Sequence, residues 1–223
     1  MDIKLLFQAI VKFLIGFIIV GLLIFIPAGS FNYYNGWMFM ILLFVPMFIA
    51  GIILLFKNPE LLKMRLNTKE KENEQKEVLI YSGLMFIMGF ILAGLNYRYK
   101  WIEIPRIVII IAIIIFLTSY ILYAIVLNEN TYLSRTIEVK ENQKVIDTGL
   151  YGVVRHPMYA ITIVLFLSMP IILNSFISFV IFLMYPFIIV KRINNEEKVL
   201  EKELRGYKEY KQKVKYRLIP FIW

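Results

Sequence analysis

The residues best suited to chemistry lie in Thr148–Tyr159, which holds His156, the only histidine of 223 residues. Arg155, Pro157, Tyr151 and Tyr159 surround it where a polar loop meets an apolar run. Arginine can hold an anion, imidazole can move a proton, and phenol rings can face a cation. A second group follows the last apolar run: Arg192 and Glu196 stand four residues apart, on one face of a helix, with Glu197 beside them. At a membrane exit, partial burial would strengthen an ion pair or ligand contact there. Ionisable groups at the mouth of an apolar segment tend to line ion, substrate or cofactor sites. On chemistry alone, a plainer reading is equally open: interfacial anchors, with His156 as a helix-start residue.

The elements that carry these residues are apolar helices. Hydrophobic residues make up 60% of the chain, mean hydropathy is +0.70, and several uncharged runs can cross a hydrocarbon core of about 30 Å. The chain reads as an all-α integral membrane protein. Expected spans are 5–27, 36–56, 78–96 and about 107–127, which form a four-span region over 1–127. Residues 128–223 form the second region. Asn58-Pro59-Glu60, in the most charged loop, has the pattern of a helix start: a capping Asn, Pro in the first turn and an early acid. The polar stretch 128–155 reads as irregular or strand-like around Thr136–Val139. Residues 158–173 and 176–190 are short for upright crossing, and Pro170, Asn174 and Ser175 separate them. They read as a hairpin that dips in and returns, or as a bent pair of full spans with the same sidedness.

Beyond Val190, Leu200, Leu204, Tyr207 and Val214 recur at helical spacing, which predicts an amphipathic surface helix with a possible break at Gly206. Lys198, Lys202, Lys208 and Lys211 read as its solvated face. Lys and Arg number six in the loop 57–77, four in 128–155 and ten after Val190, against three between spans three and four. With a cytoplasmic N-terminus this is the positive-inside pattern, so both chemical groups lie on the cytoplasmic side.

Composition also excludes classes. The net charge of +9 fits membrane-surface contacts better than nucleic acid, because no basic block stands clear of acidic residues or spans. Zero cysteines exclude disulfides, thiolate metal sites and a cysteine nucleophile, and one histidine excludes a multi-histidine metal site. No Gly-x-Gly-x-x-Gly and no strand–helix alternation exist to build a dinucleotide-type sheet.

Several motifs occur in order: Gly149-Leu150-Tyr151, Arg155-His156-Pro157-x-Tyr159, an apolar hairpin, Arg192, Glu196-Glu197, Gly206, Tyr210 and Arg217-Leu218-Ile219-Pro220. In this order they resemble the isoprenylcysteine carboxyl methyltransferase family, and phospholipid N-methyltransferases share much of the pattern. The resemblance covers roughly 130–223, and Asn58-Pro59-Glu60 is similar to bacterial members. It implies a bacterial or archaeal membrane methyltransferase that uses S-adenosylmethionine. The implied cofactor contacts are Gln143, Lys144, Val145, Ile146, Tyr151, Arg155, His156, Pro157, Met158, Tyr159, Glu196 and Glu197. Arg192 would face the methyl acceptor, a membrane lipid or membrane-partitioned small molecule, and Glu196 would share catalysis. The glutamate pair aligns to the family pattern in either of two registers.

A carboxylate acceptor, with a pKa of about 3.5, needs only orientation by a cation such as Arg192. An amine acceptor would need a base: Glu196, Glu197 or His156. Two other classes stand beside these. One is an NADPH-dependent membrane reductase, since sterol reductases have a similar hairpin and His-Pro-x-Tyr-like element, although the chain is short for that group. The other is a non-enzymatic membrane protein in which the cluster is an anchor.

Overall fold

A computed structural model describes residues 3–67, 73–134, 136, 139 and 141–223, with side chains in the fourth helix from residue 75. Every regular element among them is helical. Four long helices come first: α1 (Ile3–Ala28), α2 (Tyr34–Lys57), α4 (Asn73–Tyr99) and α5 (Arg106–Glu129), with the short α3 (Pro59–Leu66) between α2 and α4. α6 (Pro157–Ile172), α7 (Phe176–Phe182), α8 (Tyr185–Glu203) and α9 (Tyr207–Lys213) follow. Long uncharged runs of Ile, Leu and Phe dictate the helices, because only a helix satisfies every backbone N–H and C=O within one lipid-exposed segment. Their outward faces agree: Phe7, Leu14, Ile18, Leu22 and Ile26 of α1 and Ile107, Ile111, Ile114 and Ile121 of α5 are exposed. Such a continuous apolar exterior suits hydrocarbon and not water. Pro46 sits inside α2 without ending it.

The inward faces meet in an aromatic core of Phe39, Phe90, Phe116 and Phe182, with Phe86 and Phe166 packed around it. α4 runs through the middle of the bundle against α1, α7 and α8. At Gly94 its backbone comes so near α1 that an added Cβ would lie 2.4 Å from the Ile24 carbonyl oxygen. Small residues allow this close approach where no hydrophobic force drives helices together.

Asn58 caps α3 as its sequence predicts, its side chain accepting from the Leu61 N–H at 3.1 Å with Pro59 in the first turn. The four expected spans agree with α1, α2, α4 and α5 within a few residues. The strand-like reading near Thr136 falls partly on 137 and 138, outside the described residues; Thr136 and Val139 are not in a strand.

The C-terminal half differs from expectation in two ways. First, the hairpin does not turn back part-way. Its tip, Leu173–Ser175, reaches the end of the bundle that carries the α1–α2 turn and the α4–α5 connection. Asn35 Nδ2 donates to the Ile172 carbonyl at 2.9 Å, Asn96 Nδ2 donates to the Asn174 carbonyl at 2.9 Å, and the Tyr33 hydroxyl donates to the Leu173 carbonyl. The Ile104 N–H donates to Asn174 Oδ1 at 2.6 Å. These side chains satisfy the carbonyls that the end of α6 leaves unpaired. The turn itself uses Asn174 at φ 55°, a conformation asparagine tolerates.

Second, the charged turns at 191–203 are not separate from the hairpin: α8 runs without interruption into them from the apolar residues Phe187–Val190. Besides the expected break at Gly206 there is an earlier one, where Pro186 has no N–H to give the Phe182 carbonyl, so α7 stops and α8 starts afresh at Tyr185. Five helical segments are therefore long and apolar enough to cross a membrane, 176–203 among them, while α6 is a shorter apolar helix. Gly206, at φ 88°, ends the charged helix, and α9 turns away from it.

Candidate functional site

Both chemical groups come together at the bundle end opposite the hairpin tip. The path starts at Glu129, the last residue of α5, whose carboxylate accepts from the Leu150 N–H at 3.2 Å. That carboxylate lies so close over Gly149 that a Cβ there would sit 2.1 Å from it, and Gly149 holds φ 54°. Glycine alone fits both constraints. The turn Gly149–Gly152 then delivers Tyr151 inward, and Pro157 starts α6 at its first position, where a missing N–H is harmless.

Arg155 and His156 stand just before α6 and are both 6% exposed. Their backbone N–H groups donate to the Tyr216 and Arg217 carbonyls, each at 2.9 Å, so the segment after α9 lies alongside them. Beneath this ribbon, Glu197 is 2% exposed and is met from three directions, by two guanidinium groups and one imidazole. Arg155 Nε donates to Oε1 at 2.7 Å, His156 Nε2 is 3.3 Å from the same oxygen, and Arg217 Nε donates to Oε2 at 3.0 Å. Arg155 spends its Nη1 on the Val214 and Lys215 carbonyls at 2.7 and 2.8 Å. The cluster locks the C-terminal segment under α6 and leaves Glu197 with no oxygen facing away from a donor.

Glu196 points the other way. Its carboxylate accepts from the Tyr159 hydroxyl, and that hydroxyl accepts from Arg192 Nε at 2.7 Å. Tyr159 stacks near His156, with ring centroids 5.7 Å apart, and Arg192 lies 5.7 Å from the Tyr159 ring centre. One hydrogen-bonded line thus joins a cation, a phenol and a carboxylate on α6 and α8. It forms part of the wall of a cavity of about 820 Å³, counted to its open mouth. Val145, Ile146, Leu200 and Leu204 make the wall partly apolar, and Lys144, Glu196 and Arg192 give it charge of both signs. Tyr207 also lines it, and its hydroxyl is buried without a hydrogen-bond partner among the described residues. Burial, reinforced by the charges of Glu197 and Glu196, raises that phenol well above its ordinary pKa, so it stays a donor. Tyr210 closes the floor, its hydroxyl donating to the Tyr151 carbonyl at 2.7 Å.

Residues 108–202, from α5 through nearly all of α8, match the isoprenylcysteine carboxyl methyltransferase family. Over this region, a little under half of the chain, the sequence is similar to that family. The match includes both sides of the cavity, Tyr151 to Tyr159 and Arg192 to Leu200. It begins earlier than the resemblance read from motifs and stops before α9 and Arg217. The chain is also 30% identical over 91 residues to Delta(14)-sterol reductase TM7SF2 of Mus musculus. That match covers 40% of this chain and 22% of the reductase, so the chain spans well under half the length of this relative.

Within and around the matched region, the cavity wall takes in Gln143 to Ile146, Tyr151, Arg155, His156, Met158, Tyr159, Glu196 and Arg192. Pro157 and Glu197 are buried outside the lining, one as the start of α6 and the other as the hub of the cation cluster. The two glutamates of the family pair therefore differ in position: Glu196 lies on the cavity and Glu197 behind it. Sequence reasoning did not place Asn130, Leu133 and Ser134 on the wall, because an irregular loop carries no periodicity to follow. It also read Leu200, Leu204 and Tyr207 as the apolar face of an amphipathic surface helix. Their spacing did signal a buried face, and that face turns toward the loop carrying Val145.

Proposed function

We propose that this chain is an S-adenosylmethionine-dependent methyltransferase working at the cytoplasmic membrane face, most directly on a carboxylate of a lipidic or membrane-partitioned acceptor. The observation that carries the proposal is the line Arg192–Tyr159–Glu196, which runs along a cavity inside the matched family region. The residues present fit the cofactor. Glu196 offers a carboxylate to an ammonium, Lys144 offers a cation to a carboxylate, and Val145, Ile146, Leu200 and Leu204 offer an apolar bed to a flat base. The buried Tyr207 hydroxyl, with no acceptor of its own, fits a ligand oxygen or nitrogen. When bound, the cofactor supplies an electrophilic methyl group on a sulfonium.

The protein's part is placement, since displacement at carbon is governed by holding the partners in line. Arg192, fixed by Tyr159, orients an acceptor carboxylate, which needs no base near neutral pH. For an amine acceptor, Glu196 is the base within reach of the same spot, which is the alternative reading. A second reading, an NADPH-dependent reductase, draws on the partial match to the sterol reductase.

Isothermal titration of the detergent-purified protein separates these. S-adenosylhomocysteine should bind, and NADPH should not. Glu196→Gln should weaken S-adenosylhomocysteine by about tenfold or more, as expected for one charge-assisted hydrogen bond of about 1.5–3 kcal/mol. Binding of NADPH alone would establish the reductase reading, and binding of neither would return the cluster to an anchoring role.

Sidedness is proposed from the charge bias of the loops. Because the chain has no cysteine, single cysteines at Lys144 and Lys211 report it directly. Both should resist membrane-impermeant thiol reagents in intact cells and react in inverted vesicles. Reaction from outside at either position would reverse the orientation.

A further inference from the structure

The most basic part of the site not yet accounted for comes from the N-terminal half, outside the matched region. Arg65 lies in the last turn of α3 and is half-buried. Its guanidinium donates to the Tyr123 hydroxyl of α5, stands 5.6 Å from the centre of the Tyr123 ring, and touches Met158 Sδ at 3.8 Å. All three contacts are neutral. Other basic residues nearby do otherwise: Arg155 and Arg217 meet Glu197, Lys191 meets Glu77, and Lys211 meets Glu201. Among the described residues no carboxylate meets this half-buried guanidinium, and hydration lost there is not restored by a counter-charge from them. Tyr123 and Met158 hold it in place without neutralising it.

Its position is informative. Met158 lines the cavity, so Arg65 stands directly behind that wall, on the side where α3, α5 and α6 meet. On the same flank, Met158 stands one residue from Tyr159, which holds Arg192 Nε, and the Tyr185 hydroxyl is 3.5 Å from Thr162 Oγ1.

We propose that Arg65 is an acceptor-positioning residue that binds an anionic group of the methyl acceptor, separate from the group that is methylated. The acceptor is then an amphiphile with a phosphate or carboxylate beside its reacting atom. Arg192 takes the reacting end and Arg65 the second charge, which fixes the acceptor at two points. This inference rests on the methyltransferase reading above.

The test uses full-length protein in neutral detergent: the parent, Arg65→Gln and Arg65→Lys. Glutamine keeps a polar N–H donor but is shorter and loses the charge, whereas lysine keeps the charge and most of the length, so the two together separate charge from a general polar role. Decyl phosphate, decanoate and decanol serve as probes, titrated in the presence of S-adenosylhomocysteine. The parent should prefer one of the two anions over decanol by about tenfold, and which anion it prefers identifies the chemistry. Arg65→Gln should abolish that preference, Arg65→Lys should keep most of it, and S-adenosylhomocysteine affinity should not change in either. The same variants are then assayed for transfer of labelled methyl groups to the acidic fraction of a host lipid extract. Arg65→Gln should raise KM about tenfold at similar kcat.

If decyl phosphate binding depends on Arg65 while methyl transfer does not, Arg65 holds a bystander phospholipid and the assignment falls. Equal binding of anions and decanol by the parent also overturns it. Failure of S-adenosylhomocysteine to bind the parent would strike the methyltransferase reading instead, and an anion preference lost in Arg65→Gln would then remain as an anion site alone.

Discussion

Glu197→Leu should detach the C-terminal segment from the bundle while leaving the membrane helices intact. The substitution strands Arg155, whose side chain is 4% exposed, and removes the counter-charge of Arg217 and the partner of His156 Nε2. Breaking a buried ion pair from one side costs about 3–5 kcal/mol, and Arg217, a quarter exposed, recovers part of that by hydration. The melting temperature in detergent should fall by several degrees, and protease should cut near Lys213 and Lys215 long before it cuts the helices. Glu196→Gln, by contrast, should melt close to the parent, because Glu196 faces the cavity and a glutamine oxygen can still accept from the Tyr159 hydroxyl. The pair of variants separates two neighbouring glutamates that the family pattern leaves interchangeable. A Glu197→Leu protein with parental melting and protease resistance, yet no S-adenosylhomocysteine binding, would make Glu197 a ligand contact and overturn its structural role.

Arg192→Lys should reduce turnover by about a hundredfold, the loss that follows when reacting groups are displaced by about an ångström. The charge survives, but the planar fork does not, and with it goes the second point of contact to a carboxylate. Lysine would also lose the Nε donor that now reaches the Tyr159 hydroxyl. Affinity for S-adenosylhomocysteine should stay within about threefold of the parent, since Glu196 and the apolar wall are unchanged. Labelled-methyl transfer to host lipids measures the first quantity and titration the second. Were Arg192 only an interfacial anchor, lysine would serve as well, because both side chains snorkel. Parental activity in the lysine variant would therefore move the acceptor reading toward an amine deprotonated by Glu196.

The spans were legible because an uncharged run of 20 or more apolar residues has few alternatives to a helix in lipid. The cap at Asn58 was legible for the same kind of reason, one side chain meeting one orphan N–H. For the hairpin, a shallow dip and a bent pair of full spans both stayed open, because residues 158–173 are too few to cross upright and apolar length was the only ruler available. The stop is set instead by Asn35, Asn96 and Tyr33 from distant helices, which satisfy the carbonyls of the tip. Nothing in the local sequence announces partners more than seventy residues away. The glutamate pair shows the same limit at finer scale. Helical spacing put Glu196 and Arg192 on one face, and they do share Tyr159. That Glu197 turns into a ring of cations depends on Arg217, which only the folded chain brings within 3.0 Å.

The ribbon formed by residues 214–217 against Arg155 and His156 has a consequence for biosynthesis. Every membrane helix can be inserted by the time Leu204 has left the ribosome, yet Arg155 then still lacks the Val214 and Lys215 carbonyls that fix it. The cavity floor closes only after that late stretch folds back. A nascent chain already seated in the bilayer would therefore be silent toward a ligand until residues 214–217 have folded back, so ligand capture would report that late closure and not insertion.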